Sequence, residues 1–216
     1  MLSHGHYDHG GGIPYVLQHA PRTTAAFHPG ALRPRYSIRD GVHRSIDVPP
    51  QAREALEALP PERARQVLEP CLLREDIGLT GPIPRHTSFE DTGGPFFLDP
   101  AGTTPDPLED DLALWIDTAE GLVVCLGCAH AGVVNTLEYV RQQSGTAQVR
   151  AVIGGFHLVH ALAQRIAQTV NYLRMLAPEI VVPLHCTGKP AVRVLQGALG
   201  DRVIPGHSGL VLEFRG

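Results

Sequence analysis

Leu122-Val123-Val124-Cys125-Leu126-Gly127-Cys128-Ala129-His130-Ala131-Gly132-Val133-Val134-Asn135-Thr136-Leu137 passes from a strand through a turn into a helix. The apolar run Leu122–Gly127 reads as a strand, and Val134, Leu137 and Val140-Arg141 recur at helical spacing, so a helix is expected over Val133–Gln143. Upstream, Leu112–Asp117 is a second apolar run, and Glu120-Gly121 between the two predicts a hairpin. Downstream, Val149–Ile153 reads as a buried strand. Leu158–Leu176 reads as a helix, with Leu162, Ile166, Val170, Leu173 and Leu176 about one turn apart. Ile180–Leu184 is then a strand, Pro190–Leu199 a helix, and Arg202–Ile204 and Leu210–Phe214 short strands. Strands alternating with helices predict an α/β layered domain. With no internal repeat and no linker, residues 1–216 read as a single domain.

The first half is less periodic. Ile13-Pro14-Tyr15-Val16-Leu17 is expected as a short helix with proline in its first turn. A strand is expected near Ala25–His28, followed by an irregular excursion to about Pro50. Gln51–Leu68 predicts two short helical pieces split by Pro60-Pro61, and Gly78–Asp111 a loop with short strands.

Composition narrows the function classes. The 216 residues carry 18 Lys+Arg against 22 Asp+Glu, a net charge of −4 with no block of like charges, which argues against a nucleic-acid-coating surface or a polybasic membrane patch. No apolar stretch is long enough for a membrane span and no signal peptide opens the chain, so a cytoplasmic protein is expected. Four cysteines are too few and too scattered for a disulfide scaffold of this size. The feature that needs a reason is the 12 histidines.

His4-Gly5-His6-Tyr7-Asp8-His9 precedes Gly10-Gly11-Gly12 and the first helix. In an extended segment residues i and i+2 face the same side, so His4 and His6 can grip one ion, while the turn brings Asp8 and His9 to a second position. Such donors suit zinc, and also iron or manganese. His130, His157 and His185 each follow an apolar strand, and ligands of open α/β sheets bind beyond the carboxyl ends of strands. One edge of the domain therefore collects histidines, as a binuclear site requires. His130 and His185 are candidate ligands; His157 has a metal, substrate or supporting role. Cys125 and Cys128 face opposite ways along a strand, leaving Cys125 to the core and Cys128 as a ligand or wall of the site. Cys186 is a weaker candidate of the same kind. Lys189, ahead of the helix that starts near Pro190, could join free backbone N–H groups in binding an anion, or be a solvated lysine.

The run His4–Gly11 resembles the metal-binding signature of the metallo-β-lactamase fold superfamily. Gly127–Thr136, Gly154-Gly155-Phe156-His157-Leu158, Pro183–Gly188 and Thr80–Arg85 are similar to segments of its dihydropterin-ribofuranosylaminobenzene phosphate synthase-like branch. The resemblance implies a four-layer αββα sandwich with two divalent metal ions between the sheets, held by His4, His6, Asp8, His9, His130 and His185. The superfamily's bridging aspartate has no obvious counterpart, and Cys128 stands nearest its place. Members carry strands before the histidine signature, which here begins at residue 4, so the first strands are expected to be missing.

The expected activity is hydrolysis of an ester, lactone, thioester or phosphoester of a small, anionic or phosphorylated substrate by metal-activated water. Asp8 would orient the nucleophile, and His157 or Lys189 would bind developing charge or donate a proton. The alternatives are a transferase like that branch's synthase, a mononuclear iron oxygenase, or a truncated metal-binding remnant without catalysis. A nuclease is least compatible with the charge.

Overall fold

The computed structural model describes residues 1–214. After one helical turn, α1 (Tyr7–Gly10), comes α2 (Ile13–His19) with Pro14 in its first turn, where a missing N–H breaks no helical bond. Strand β1 (Ala25–Phe27) leads through a 3-10 turn to the antiparallel hairpin of β2 (Tyr36–Arg39) and β3 (Val42–Ser45). Asp40 and Gly41 turn this hairpin with φ of 51° and 73°, the conformation that Asp-Gly favours. It lies where the sequence predicts an irregular excursion: neither strand has a buried face, so no alternation marks it.

Helix α3 (Pro50–Glu57) buries Ala52 and Leu56, one turn apart. The second helical piece expected before Leu68 is instead a 3-10 turn and β4 (Ala64–Gln66), which pairs in parallel with β1. Pro60-Pro61 therefore ends the helix outright. β5 (Cys71–Arg74), β6 (Ile77–Leu79), β7 (Phe96–Phe97), β8 (Ala113–Thr118) and β9 (Gly121–Leu126) follow, the last two forming the expected hairpin. Then α4 (Val133–Ser144), β10 (Val149–Gly155), α5 (Ala163–Leu176), β11 (Ile180–Leu184) and α6 (Lys189–Leu199) alternate as predicted. The α5 helix begins later than Leu158, because Val159 is tied to the Cys186 carbonyl and the chain is still turning. Val203 makes only a single bridge to Val181, and Leu210–Phe214 lies in no strand, which corrects the expectation of two terminal strands.

The main sheet runs β11-β10-β9-β8-β6-β5, with β9, β10 and β11 parallel and the remaining pairs antiparallel. On one face, Leu137 and Val140 of α4, Val170 and Leu173 of α5, and Leu195 of α6 bury against Leu122, Val124, Val152 and Val181. On the other face Leu79 and Leu112 meet Ala26 and Val67, next to the small β1-β4 sheet. The next residue, Phe27, points the opposite way and packs with Ala52 and Leu56 of α3. Helices, large sheet, small sheet and helices make the four layers of an αββα sandwich. Removing such side chains from water stabilises each by roughly 1.5–3 kcal/mol, and here that burial fixes the sheet edge on which the histidines sit.

Candidate metal centre

The parallel strands β9, β10 and β11 end side by side, and the turns after them carry Cys128 and His130, His157, and His185 and Cys186. The 1–9 loop crosses in front of these ends. Leu2 N–H donates to the Ala26 carbonyl and Leu112 N–H to the Ser3 carbonyl, so the loop is stitched between the two sheets.

Two adjoining donor groups result. In the first, His4, His6 and His130 form a triangle of rings with centroids 4.7, 4.7 and 4.8 Å apart. His4 Nε2 stands 3.1 Å from His6 Nδ1. His130 Nδ1 donates to the Thr92 carbonyl at 2.7 Å, which leaves the lone pair on Nε2, buried and without a hydrogen-bond partner. In the second group, His9 Nε2 lies 3.3 Å from His185 Nε2 and 3.2 Å from Cys128 Sγ. Asp8 Oδ2 is 2.9 Å from His185 Nε2 and 3.6 Å from His9 Nε2. Ser3 Oγ sits behind both groups, 3.1 Å from His4 Nδ1 and 3.4 Å from His9 Nδ1.

These donors fit a divalent cation. Zinc–nitrogen bonds of about 2.0–2.1 Å at tetrahedral angles put ligand nitrogens roughly 3.3 Å apart, close to the 3.1 and 3.3 Å separations here. Burial supplies the protonation state: it holds His4 and His130 well below the usual imidazole range, takes His6 down to about 3, and lowers His9. Neutral rings with buried lone pairs are the ligand form of histidine. A buried polar atom without a partner is costly, and a cation would satisfy the one on His130.

The other predicted residues divide. His157 is beside His130, rings 4.3 Å apart, with Nδ1 buried and unpartnered. Cys186 joins it, and hydrogen bonding between the thiols pushes Cys186 down and Cys128 up. Cys125 is half-buried on β9 and belongs to no donor cluster among the described residues. Lys189 is exposed at the start of α6, in a cleft shared with His185 and away from the ring cluster.

Several contributors escape the sequence reading. Glu90 accepts the Val134 and Asn135 N–H groups at 2.9 and 3.0 Å, capping α4 where Gly132 has no side chain to do so. Asp111 is fully buried, accepts the Ala131 N–H at 2.7 Å, and is pushed up to about 7 by that burial. Arg35 lies in the interior between Asp106 and Asp110. The Glu109-Asp110-Asp111 run just before an apolar strand was the available signal for two of these.

Fold and site together define an α/β class in which imidazoles, a carboxylate and thiols converge at the carboxyl edge of a layered sheet. No protein-family model matches the chain. A 7,8-dihydropterin-6-methyl-4-(β-D-ribofuranosyl)-aminobenzene-5'-phosphate synthase of Methanocaldococcus jannaschii is 30% identical over 99% of this chain and 74% of its own length. An uncharacterised protein of the same archaeon is 29% identical over 98% and 77%. The crystal structure of a metal-dependent hydrolase of the β-lactamase superfamily superposes with a TM-score of 0.80 at 30% identity, covering 99% of this chain and 78% of that one. The chain belongs to the metallo-β-lactamase fold superfamily. No helix among the described residues is long and apolar enough to cross a membrane.

Proposed function

We propose that this protein is a metal-dependent hydrolase with a binuclear centre, acting on an ester, lactone, thioester or phosphoester of a small molecule. The observation that carries the reading is a pair of adjoining donor groups that share Cys128: His4/Cys128/His130, with His6 Nδ1 3.1 Å from His4 Nε2, and His9/Cys128/His185, with Asp8 Oδ2 2.9 Å from His185 Nε2. Zinc suits this mixture, and iron or manganese are the other candidates. When bound, such ions supply Lewis acidity, lowering the pKa of a water toward neutrality and polarising the substrate oxygen.

The chain's own groups orient and bind. Asp8 is half-exposed, and its Oδ2 beside His185 Nε2 can both hold the second position and accept a hydrogen bond from the attacking water. His157, at the edge of the first group with its ring 4.3 Å from that of His130, would bind charge developing on the leaving oxygen through its ring N–H. Lys189, which lines the same cleft as His185, would attract an anionic substituent. Cys128, which lies with donors of both groups, would be the ligand they share.

A transferase reading is favoured by one observation, the 30% identity to the dihydropterin synthase along nearly the whole chain. Metal-loaded protein assayed on simple esters, lactones and phosphodiesters, and separately on a dihydropterin methyl diphosphate with an aminobenzene ribofuranosyl phosphate, decides between them. Metal-dependent cleavage of the first set supports the hydrolase. Diphosphate release that requires the aminobenzene partner overturns it.

A further inference from the structure

Cys128, His157 and Cys186 lie beyond the ends of three neighbouring parallel strands, and their donor atoms are all within 4.8 Å of one another. The backbone is strained at each place. Ala129, His157 and His185 hold φ of 50°, 47° and 53°, and they are three of the six non-glycine residues with positive φ among the described residues. Strain of this kind costs on the order of 1–3 kcal/mol per residue and persists where a site requires it.

The packing brings the sulfurs in. A Cβ on Gly155 would sit 2.6 Å from Cys186 Sγ and 3.2 Å from the Cys128 Cα, so only glycine leaves room for the thiol there. Cys186 Sγ approaches the Cys128 carbonyl at 3.8 Å. All four cysteines are free, and His157 Nδ1 is buried without a hydrogen-bond partner. Two thiols facing an imidazole make a soft donor set, of the kind that selects zinc and other thiophilic cations over magnesium or calcium.

We propose that Cys128, His157 and Cys186 form a sulfur-rich metal position of their own, adjoining the histidine centre through Cys128, that takes a thiophilic divalent cation. Both sulfurs bind as thiolates, so coordination releases the protons the pair still holds and nothing is oxidised. Cys128 then serves two neighbours, and the position goes beyond the hydrolytic reading without depending on the substrate.

The test uses the full chain, freed of metal and titrated with Co2+ as the probe. Thiolate ligation is read as near-ultraviolet charge-transfer absorption, and bound cobalt is counted per chain. Cys186→Ser is expected to lose about half of that absorption and one equivalent of cobalt, with circular dichroism checking its fold. On the wild-type protein, which needs no variant, cobalt is expected to protect Cys128 and Cys186 from iodoacetamide and leave Cys71 reactive. Absence of the band, an unchanged band and cobalt count in Cys186→Ser, or a Cys128–Cys186 disulfide recovered from the metal-loaded protein would each overturn the proposal. A failed histidine centre looks different: His4→Ala would then leave the cobalt count unchanged while the thiolate band persisted.

Discussion

Asp110 accepts the backbone N–H of Gly5, the residue between His4 and His6, at 2.8 Å. The same carboxylate receives Arg35 Nη1 at 2.9 Å, and Arg35 Nε faces Asp106 Oδ2 at 2.9 Å, all in the interior. The loop that carries the first two candidate ligands, His4 and His6, is thus hung on a buried ion-pair network. Removing one partner of such a network costs about 3–5 kcal/mol, because a charge is left buried without compensation. Asp110→Ala is expected to lose stability on that scale and to bind less metal. Asp110→Asn keeps an acceptor for Gly5 and should retain more metal than Asp110→Ala. Urea unfolding and metal content per chain measure both, and equal metal retention in the two variants would contradict the positioning role.

Gly93 forms the wall behind His157. Its φ is +84°, and an added Cβ would meet His157 Cδ2 at 1.9 Å. Gly93→Ala must displace either the ring or the loop, and that loop includes Thr92, whose carbonyl fixes the His130 tautomer. Overpacking costs about 1–3 kcal/mol, so the thermal midpoint should fall by roughly 2–10 °C, with weaker zinc binding. A Gly93→Ala protein with wild-type zinc affinity would show that the displacement does not reach the residues that hold the metal.

Asp111 gives a pH dependence with a definite sign. Its folded-state value, about 7, is above the unfolded carboxylate value of 3.8 because burial disfavours the charge. Between these values the native state holds more protons than the unfolded state, so this group's contribution falls as pH rises from about 4 to 7 and is level beyond. About three pKa units correspond to no more than about 4 kcal/mol. The gap in urea stability between wild type and Asp111→Asn should therefore shift in favour of the variant as pH rises from 5 to 8. A gap independent of pH would place the Asp111 charge in water.

The second half of the fold was legible because its strands and helices are buried on consistent faces: Val149, Ala151 and Val152 in β10, and Val170 and Leu173 in α5, carry periods that burial writes into the sequence. The exposed β2–β3 hairpin carries none, and only Asp40-Gly41 announced it. β4 reads as helical in the sequence because Ala64 and Leu68 fit a helical spacing, which parallel pairing with β1 overrides. Among the candidate ligands, His4, His6, Asp8 and His9 were visible through their spacing. The placement of Cys186 beside Cys128 was not, since they are 58 residues apart and meet only when β9, β10 and β11 align. The carboxylates that hold the loops, Asp110 and Glu90, act on backbone N–H groups; the acidic run before β8 flags Asp110 without naming its partner, and nothing in the sequence flags Glu90.

Separating the two donor groups is the most direct check on the histidine centre. His130 belongs to the first group and His185 to the second, and the rings are supported independently, His130 by the Thr92 carbonyl and His185 by contacts to Asp8 and His9. His130→Ala should therefore lose one metal equivalent relative to wild type and keep the ion near Asp8. His185→Ala should lose the other, with the double variant losing both. Disturbing a group that merely supports a ligand already costs 10–100-fold in affinity or activity, so removing a ligand should cost at least that in turnover. Because His185 is exposed and His130 fully buried, His185→Ala should unfold close to wild type in the metal-free state, whereas His130→Ala leaves a cavity and should not. Metal counting, turnover and metal-free unfolding on the same preparations separate ligation from packing. If both single variants lost all of their metal together, the two positions would be one site.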